Sequence, residues 1–202
     1  MAISNELRKF LTNGSIQQLL TENDLTRFLN AAHTMCSLED FRKLVDLLSL
    51  KYEDMFGDLN GLLPGMFKDT LSVHKVSLNG TVESIPSQCF EHSNLSIIEG
   101  QNVKTLSAKC FYECNNLTTV DFPNLEVIGS GTFNNCKSLK VIDLPKTLTK
   151  VSSKAFGGCT SLEKINYHGT KEECQKVQWM PTWDGTFDNT SGIKIVCTDG
   201  VL

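Results

Sequence analysis

The chain has 202 residues, enough for one substantial hydrophobic core or for a small domain followed by an array of repeats. Its formal net charge is -4 at pH 7 and its pI is about 5.6. Nucleic acids and anionic membranes favour proteins with clustered Lys and Arg, so we expect neither as a partner.

The start of the chain shows no export signal. Its first residues, MAISNELRKFLTNG, contain no apolar run of signal-peptide length, and no later stretch approaches the roughly 20 apolar residues that span a bilayer. We therefore expect a cytoplasmic or otherwise intracellular protein without a transmembrane segment. Its eight cysteines should then remain reduced thiols.

Residues 1–57 show the apolar spacing of helices. The stretch SLEDFRKLVDLLSLKYEDMF begins with Ser37 and Asp40 in a capping-box-like arrangement, and apolar residues follow at helical intervals. The preceding stretch TENDLTRFLNAAHTM and two shorter pieces show the same spacing. We expect a small bundle of roughly three or four helices that covers one end of the fold. Because the bundle is larger than this role needs, it is also our candidate for targeting or homo-oligomerisation.

Residues 58–168 repeat a single pattern. Phenylalanines recur at intervals of 23, 21, 22 and 23 residues, at Phe67, Phe90, Phe111, Phe133 and Phe156. Apolar residues lie eight and five positions before each of them, and a small residue usually precedes the Phe directly. In most copies Thr or Cys follows three positions later, and alternating apolar and polar residues close the copy. Five copies that fit one template indicate a solenoid.

The end of each copy predicts a short strand, because its inward residues alternate with polar ones. Pro123 and Pro145 stop two of these strands. Successive strands in the same sense must be parallel neighbours, stacked about 4.8 Å apart, while an apolar row in the intervening coil closes the core behind them. We therefore predict an α/β fold, a leucine-rich-repeat solenoid with a parallel sheet of about five strands, preceded by a small N-terminal helical bundle.

Residues 169–202 are the predicted C-terminal cap. We expect a helix at residues 171–177 and a terminal strand at residues 193–197. Trp179, Trp183 and Phe187 concentrate aromatic side chains here, which either pack within the cap or contact a partner. The predicted domains are thus residues 1–57, 58–168 and 169–202.

The repeat pattern x-x-[Ala/Cys/Thr]-Phe-x-x-Cys-x-x-Leu-x-x-Val-x-Leu-Pro resembles the BspA-like leucine-rich-repeat family over roughly residues 58–168. The continuation INYHGTKEECQKVQWMPTW, followed by IKIVCTDG, resembles the end module of that family, although Cys174 stands where an aromatic residue is common. The first 57 residues show no such resemblance. The resemblance implies an adhesion or protein-binding scaffold whose partners differ from member to member.

The cysteines mostly follow the repeat template. Cys114, Cys136 and Cys159 share the position three after the Phe, so we expect an inward column of small apolar side chains with weak donors. The alternatives are a metal site or a disulfide. Cys89 and Cys110 share a position with Thr and Ala in other copies, which indicates that the position needs a small side chain rather than sulfur.

The sequence offers no candidate catalytic residues. Its four histidines lie outside any motif with an acid and a nucleophile, and the P-loop, dinucleotide-binding and HExxH motifs are absent. We therefore predict no catalytic residue, no cofactor and no metal site, and a protein that is not an enzyme.

The outward positions of the predicted strands, between the buried ones, form two columns on the outer face of the sheet, and these are our candidate partner-binding residues. The first outer column is Lys75, Ile97, Thr119, Val141 and Lys164. The second outer column is Ser77, Glu99, Asp121, Asp143 and Asn166. Stacked acids repel by on the order of 1 kcal/mol per pair at high dielectric, which a basic partner would relieve, although solvation alone is the alternative. Exposed Ile97 and Val141 favour a binding surface.

These features favour a non-enzymatic module that binds another protein, a basic one in particular, through the outer face, the N-terminal helices or both. One alternative is a structural or assembly component, such as an accessory virion protein or a helix-mediated homo-oligomer. Another is an inhibitor, encoded by a virus or acting as an effector, that occludes a host protein.

Overall fold

The structure, a computed structural model, describes residues 37, 39, 41, 42, 62–78, 80–184 and 192–202. The predicted helical bundle of residues 1–57 thus lies outside the described residues, apart from Glu39, Phe41 and Arg42, which are helical. The Phe41 N–H donates to the Ser37 carbonyl at 2.9 Å, the first helical bond expected if Ser37 is the N-cap. Arg42 Nε donates to the Gly65 carbonyl at 2.9 Å, so this helical turn contacts the first coil.

The described residues from 62 onward form short strands and a helix. In chain order these are β1 (Lys75–Leu78), β2 (Ser84–Ile85), β3 (Ile97–Gly100), β4 (Thr105–Leu106), β5 (Thr119–Asp121), β6 (Val127–Ile128), β7 (Val141–Leu144), β8 (Lys150–Val151), β9 (Lys164–Tyr167), α1 (Lys171–Lys176), β10 (Gln178–Trp179), β11 (Lys194–Cys197) and β12 (Gly200–Val201).

The longer strands form the predicted parallel face, which we call the outer face. Strands β1, β3 and β5 pair in that order, as do β7, β9 and β11, and β12 closes the far edge antiparallel to β11. Strands β5 and β7 lie next to each other, but no ladder joins them. The predicted parallel solenoid is therefore confirmed, with one interruption at its centre.

A second parallel sheet lies where the sequence predicted only an apolar row. The two-residue strands β2, β4, β6, β8 and β10 pair in that order. The second residue of each faces inward, and Ile85, Leu106, Ile128 and Val151 are fully buried. Two residues are too few to show an alternating period, so these strands leave no signal in the sequence. They form because coils above and below supply hydrogen-bond partners.

The repeated phenylalanines form one continuous internal stack, as predicted. The ring centroids of Phe67, Phe90, Phe111, Phe133 and Phe156 follow each other at 5.1, 5.6, 5.4 and 5.4 Å. Each ring is at most 1% exposed, and neighbouring planes differ by no more than 16°. We call this stack the phenylalanine spine.

Aromatic side chains also close both ends of the spine. Phe41 lies 6.0 Å from Phe67 in a tilted arrangement, and Trp183 meets Phe156 edge-on at 6.0 Å. Trp179 lies 4.9 Å from Trp183. The two tryptophans therefore pack within the C-terminal region, which was one of the two roles predicted for them; Phe187 lies outside the described residues.

The backbone around each phenylalanine adds a third set of bonds between coils. The N–H groups two before, at, and two after the Phe donate to the next coil, as when Phe111 donates to the Thr132 carbonyl at 3.0 Å. The two flanking residues, Lys109 and Glu113, have φ of 58° and 57°, a left-handed region that costs an ordinary side chain about 1–2 kcal/mol. The left-handed conformation recurs in every coil, and in three coils glycine takes one of the two positions and avoids this cost. Elsewhere the bonds to the next coil offset it.

The C-terminal region continues both sheets. Strand β10 extends the second sheet and β11 extends the outer face, so the chain completes a further coil after the five phenylalanine coils. Helix α1 begins at a capping box formed by Thr170 and Glu173, and it ends one residue before the predicted Val177, which is its C-cap. No helix among the described residues is long and apolar enough to cross a membrane.

Candidate functional site

The ten candidate residues lie on strands β1, β3, β5, β7 and β9, in the predicted columns. In the first outer column, the ladder pairs Lys75 with Ile97, Ile97 with Thr119, and Val141 with Lys164. In the second outer column, it pairs Ser77 with Glu99, Glu99 with Asp121, and Asp143 with Asn166. The structure thus brings all ten residues onto one face, and the interruption between β5 and β7 divides that face at its middle.

The outer face is most exposed at its centre. Thr119, Asp121, Val141 and Asp143 are exposed, whereas the six other candidate residues are half-buried. We call these four residues the central patch. It combines two acids with an apolar side chain, Val141, that is 38% exposed. A partner that contacts this face would meet the central patch first.

The acids of the second outer column differ in their hydrogen bonds. Ser77 Oγ donates to Glu99 Oε1 at 2.5 Å. Asp143 Oδ1 accepts a bond from Asn166 Nδ2 at 3.0 Å, and His168 Nε2 lies 3.0 Å from the same oxygen. The Asp121 carboxylate receives neither a hydrogen bond nor an ion pair from any residue that the structure describes. Repulsion within the column is therefore already offset at Glu99 and Asp143, but not at Asp121.

These contacts keep Asp143 charged. Partial burial of the carboxyl group opposes its ionisation, but the hydrogen bonds from His168 and Asn166, together with the nearby charge of Lys164, outweigh that effect. The pKa of Asp143 is consequently lower than its ordinary value. Asp143 thus carries a full negative charge at neutral pH.

A pocket opens where β5 and β7 end, beside the central patch. Its volume is about 350 Å³, and it is lined by Asp121, Phe122, Pro123, Asp143, Pro145, Lys146 and His168. We call it the aspartate pocket. Its two acids come from the two strands that no ladder joins, so the pocket coincides with the interruption of the outer face.

Five residues of the aspartate pocket were not predicted as site residues. Asp121-Phe122-Pro123 and Asp143-Leu144-Pro145 are equivalent triplets 22 residues apart, and this repetition was the available signal. In the sequence, the prolines of these triplets indicated only where strands end. His168 had no signal, because its contact with Asp143 depends on side-chain geometry across 25 positions and recurs in no other copy.

The predicted cysteine column is present. Cys114, Cys136 and Cys159 are buried, and their Sγ atoms donate to the carbonyls of Phe90, Phe111 and Phe133 at 2.9, 3.1 and 2.9 Å. Burial raises the thiol pKa to about 12 for both Cys114 and Cys159. Thiols of this kind are not ionised at neutral pH and serve packing and hydrogen bonding rather than nucleophilic chemistry.

Titratable side chains also meet at a second place, away from the outer face. His92 Nδ1 lies 3.0 Å from Asp69 Oδ1, and His92 Nε2 lies 3.6 Å from Glu113 Oε2. Among the described residues, no group of three His, Cys, Asp or Glu side chains could hold a metal ion. The cluster therefore amounts to surface ion pairs between successive coils, which contribute little individually.

Comparisons with known proteins agree on the fold. Residues 63–178 match, in six copies, the model of the BspA type leucine rich repeat region. A T. pallidum leucine-rich-repeat protein of known structure is 25% identical, with a TM-score of 0.50, and the match covers 59% of this chain and 61% of that chain. No curated protein matches the sequence.

Two further solved structures are more distant. A leucine-rich cell surface protein from Faecalibacterium prausnitzii A2-165 is 21% identical, with a TM-score of 0.35, over 54% of this chain and 29% of that chain. A leucine-rich-repeat protein from Bacteroides ovatus ATCC 8483 is 18% identical, with a TM-score of 0.38, over 66% of this chain and 51% of that chain. This chain therefore spans less than two thirds of each solved relative.

The family match extends over more than half of the chain, and it coincides with the coils that carry the phenylalanine spine and both sheets. Its six copies are one more than the five that the phenylalanines alone predicted. The chain belongs to the BspA-type leucine-rich-repeat family.

Proposed function

We propose that this chain is a non-enzymatic module that binds another protein through the outer face of its solenoid, with the central patch as the main contact. The observation that carries the proposal is the composition of that patch. Thr119, Asp121, Val141 and Asp143 form the most exposed part of the face and combine an apolar side chain with two charged ones. Two exposed acids beside an exposed apolar side chain suit a partner that supplies complementary positive charge.

The packed core and the backbone beneath the central patch favour this function. Each outward residue alternates with a buried or, at Val120, a partly buried one, so the patch rests on the core and its backbone is held by neighbouring coils. A surface that is already ordered loses little conformational entropy on association. Specificity then depends on the side chains that vary from coil to coil, while the fold beneath them stays the same.

A charge-reversal pair tests the proposed face. Asp121→Lys together with Asp143→Lys should keep the melting temperature near that of the wild type, because both side chains are exposed. The same change should remove proteins that the wild-type chain enriches from a displayed library of protein fragments. A matched control, Glu83→Lys with Glu126→Lys, reverses two exposed charges at the entry to the second sheet and should retain those partners.

The comparison of the two pairs decides the proposal. Equal enrichment of the same fragments by both variants would place the interface elsewhere on the chain.

The predicted homo-oligomerisation concerns residues 1–57, most of which lie outside the described residues. Light scattering on the full chain is its separate test, since a monomer at micromolar concentration would contradict it.

A further inference from the structure

We propose that the aspartate pocket receives a cationic side chain, lysine or arginine, from the protein that binds the outer face. This inference rests on the proposed function and adds the chemistry of the partner residue. The pocket volume of about 350 Å³ lies near the lower end of ligand pockets, which suits one long side chain better than a whole small molecule.

The charge of the pocket favours a cation. The Asp121 carboxylate receives no bond from any described residue, so both of its oxygens can accept from a partner. Asp143 already accepts from Asn166 and faces His168, and these contacts keep it ionised. A partner cation would therefore find one free carboxylate and one carboxylate already fixed in place. Hydrogen bonds between such charged groups are stronger than neutral ones.

The interruption of the outer face between β5 and β7 lies at the aspartate pocket. Glu99 and Asp121 remain in one ladder, where Ser77 satisfies Glu99, but no ladder joins Asp121 to Asp143. A cation between these two carboxylates would contact both strands at the point where the protein itself supplies no bond between them.

The remaining walls fit the stem of a long side chain. Phe122, Pro123 and Pro145 give the pocket an apolar lining, along which the methylenes of lysine or arginine pack while the charged end reaches a polar group. Lys146 is the native cationic side chain of the pocket, and His168 also lines it. His168 is bound to Asp143, and Lys146 is exposed on a flexible stem, so it can turn toward solvent when a partner enters.

The test uses the full chain and three small probes, namely blocked arginine, blocked lysine and blocked citrulline, each acetylated at its amine and methylamidated at its carboxyl group. Citrulline keeps the shape of arginine but lacks its charge. Titration followed by amide NMR should show saturable shifts at Asp121, Phe122 and Asp143 for at least one cationic probe and none for citrulline. The two cationic probes together show whether lysine or arginine fits better.

Two single variants locate the effect. Asp121→Asn should weaken binding of the cationic probe at least about tenfold, which corresponds to losing one charged hydrogen bond. Glu83→Gln removes an exposed charge that lies outside the outer columns and does not line the pocket, so it should leave binding unchanged. Equal shifts for citrulline, no saturable shift for either cation, or equal losses in both variants would overturn the inference.

The outcome is distinguishable from failure of the proposed function. If the charge-reversal pair loses its protein partners while the cationic probes do not bind, the outer face remains the interface and only the inference about the pocket is wrong. If the probes bind but charge reversal leaves every partner in place, the proposed face is wrong, and the inference is wrong with it.

Discussion

The interior and the outer face of the same coils differ in how closely their residues repeat from one coil to the next. Along the phenylalanine spine, five successive copies place the same ring in nearly the same orientation, with centroids between 5.1 and 5.6 Å apart. Along the second outer column, the equivalent positions hold Ser, Glu, Asp, Asp and Asn, and side-chain hydrogen bonds join only the first two and the last two of them among the described residues. Packing between coils therefore imposes repetition, and variation is greater on the surface that packing does not constrain.

Removing one phenylalanine ring from the spine should cause the largest loss of stability. Phe133 lies 5.4 Å from both Phe111 and Phe156 and is fully buried, so Phe133→Ala should destabilise the protein by about 3–5 kcal/mol. Urea denaturation followed by far-UV circular dichroism measures this change. Val141→Ala removes apolar surface from the outer face instead and should alter stability by less than about 0.5 kcal/mol. Similar losses for both variants would contradict the division between inside and outside.

Alkaline pH should lower the stability of the folded protein through its buried thiols. Burial raises the pKa of Cys114 and Cys159 to about 12, whereas a thiol in an unfolded chain titrates near about 8.5. Above that lower value the unfolded chain loses thiol protons that the folded chain keeps, so stability falls as pH rises toward 12. The two thiols together should cost about 3 kcal/mol per pH unit in this window.

A double variant isolates the contribution of the thiols. Cys114→Ser with Cys159→Ser keeps a donor at each position, as Ser93 does naturally in the second coil, but removes the titration. Its alkaline unfolding midpoint should lie at a higher pH than that of the wild type when stability at pH 7 is taken into account. An identical pH dependence in both proteins would show that the cysteine column does not control alkaline unfolding.

The hydrogen bonds donated by the cysteine column predict a smaller loss of stability when one thiol is removed. Cys136 Sγ donates to the Phe111 carbonyl at 3.1 Å in a fully buried setting. Cys136→Ala removes this bond, but the carbonyl still accepts from the Cys114 N–H at 3.1 Å, so the change should cost about 0.5–1.5 kcal/mol, whereas Cys136→Ser should cost less. Thermal melting of the two variants side by side checks the order. A less stable Ser variant would mean that the position needs an apolar side chain rather than a donor.

The comparison of inside and outside also explains how much of the fold the sequence could predict. The spine, the cysteine column and the longer strands leave periodic signals, because each coil must meet the next one with the same side chain. The left-handed residues beside each Phe are as regular in the backbone, yet Lys109 and Glu113 are not residue types that indicate such a conformation. The second sheet was missed because two-residue strands show no period.

The candidate site was predictable only in part, for the same reason. The columns could be derived from the strand register, and their members were placed as predicted. The aspartate pocket required knowledge of the interruption between β5 and β7 and of the contact between His168 and Asp143, neither of which repeats. Features that occur once in a repeat protein have no internal copy to reveal them.

The smallest effect should come from breaking the one acid–histidine contact on the outer face. The side chains of Asp143 and His168 are 58% and 60% exposed, so Asp143→Asn should change stability at pH 7 by less than about 0.5 kcal/mol. Because the pKa of Asp143 is lowered in the folded protein, its contribution is present above about pH 4 and is lost as pH falls. Acid titration of the variant should therefore differ slightly from the wild type below that value and nowhere else. A loss at pH 7 comparable with that of Phe133→Ala would mean that the outer face is part of the folding core, and that its variation is not free to serve recognition.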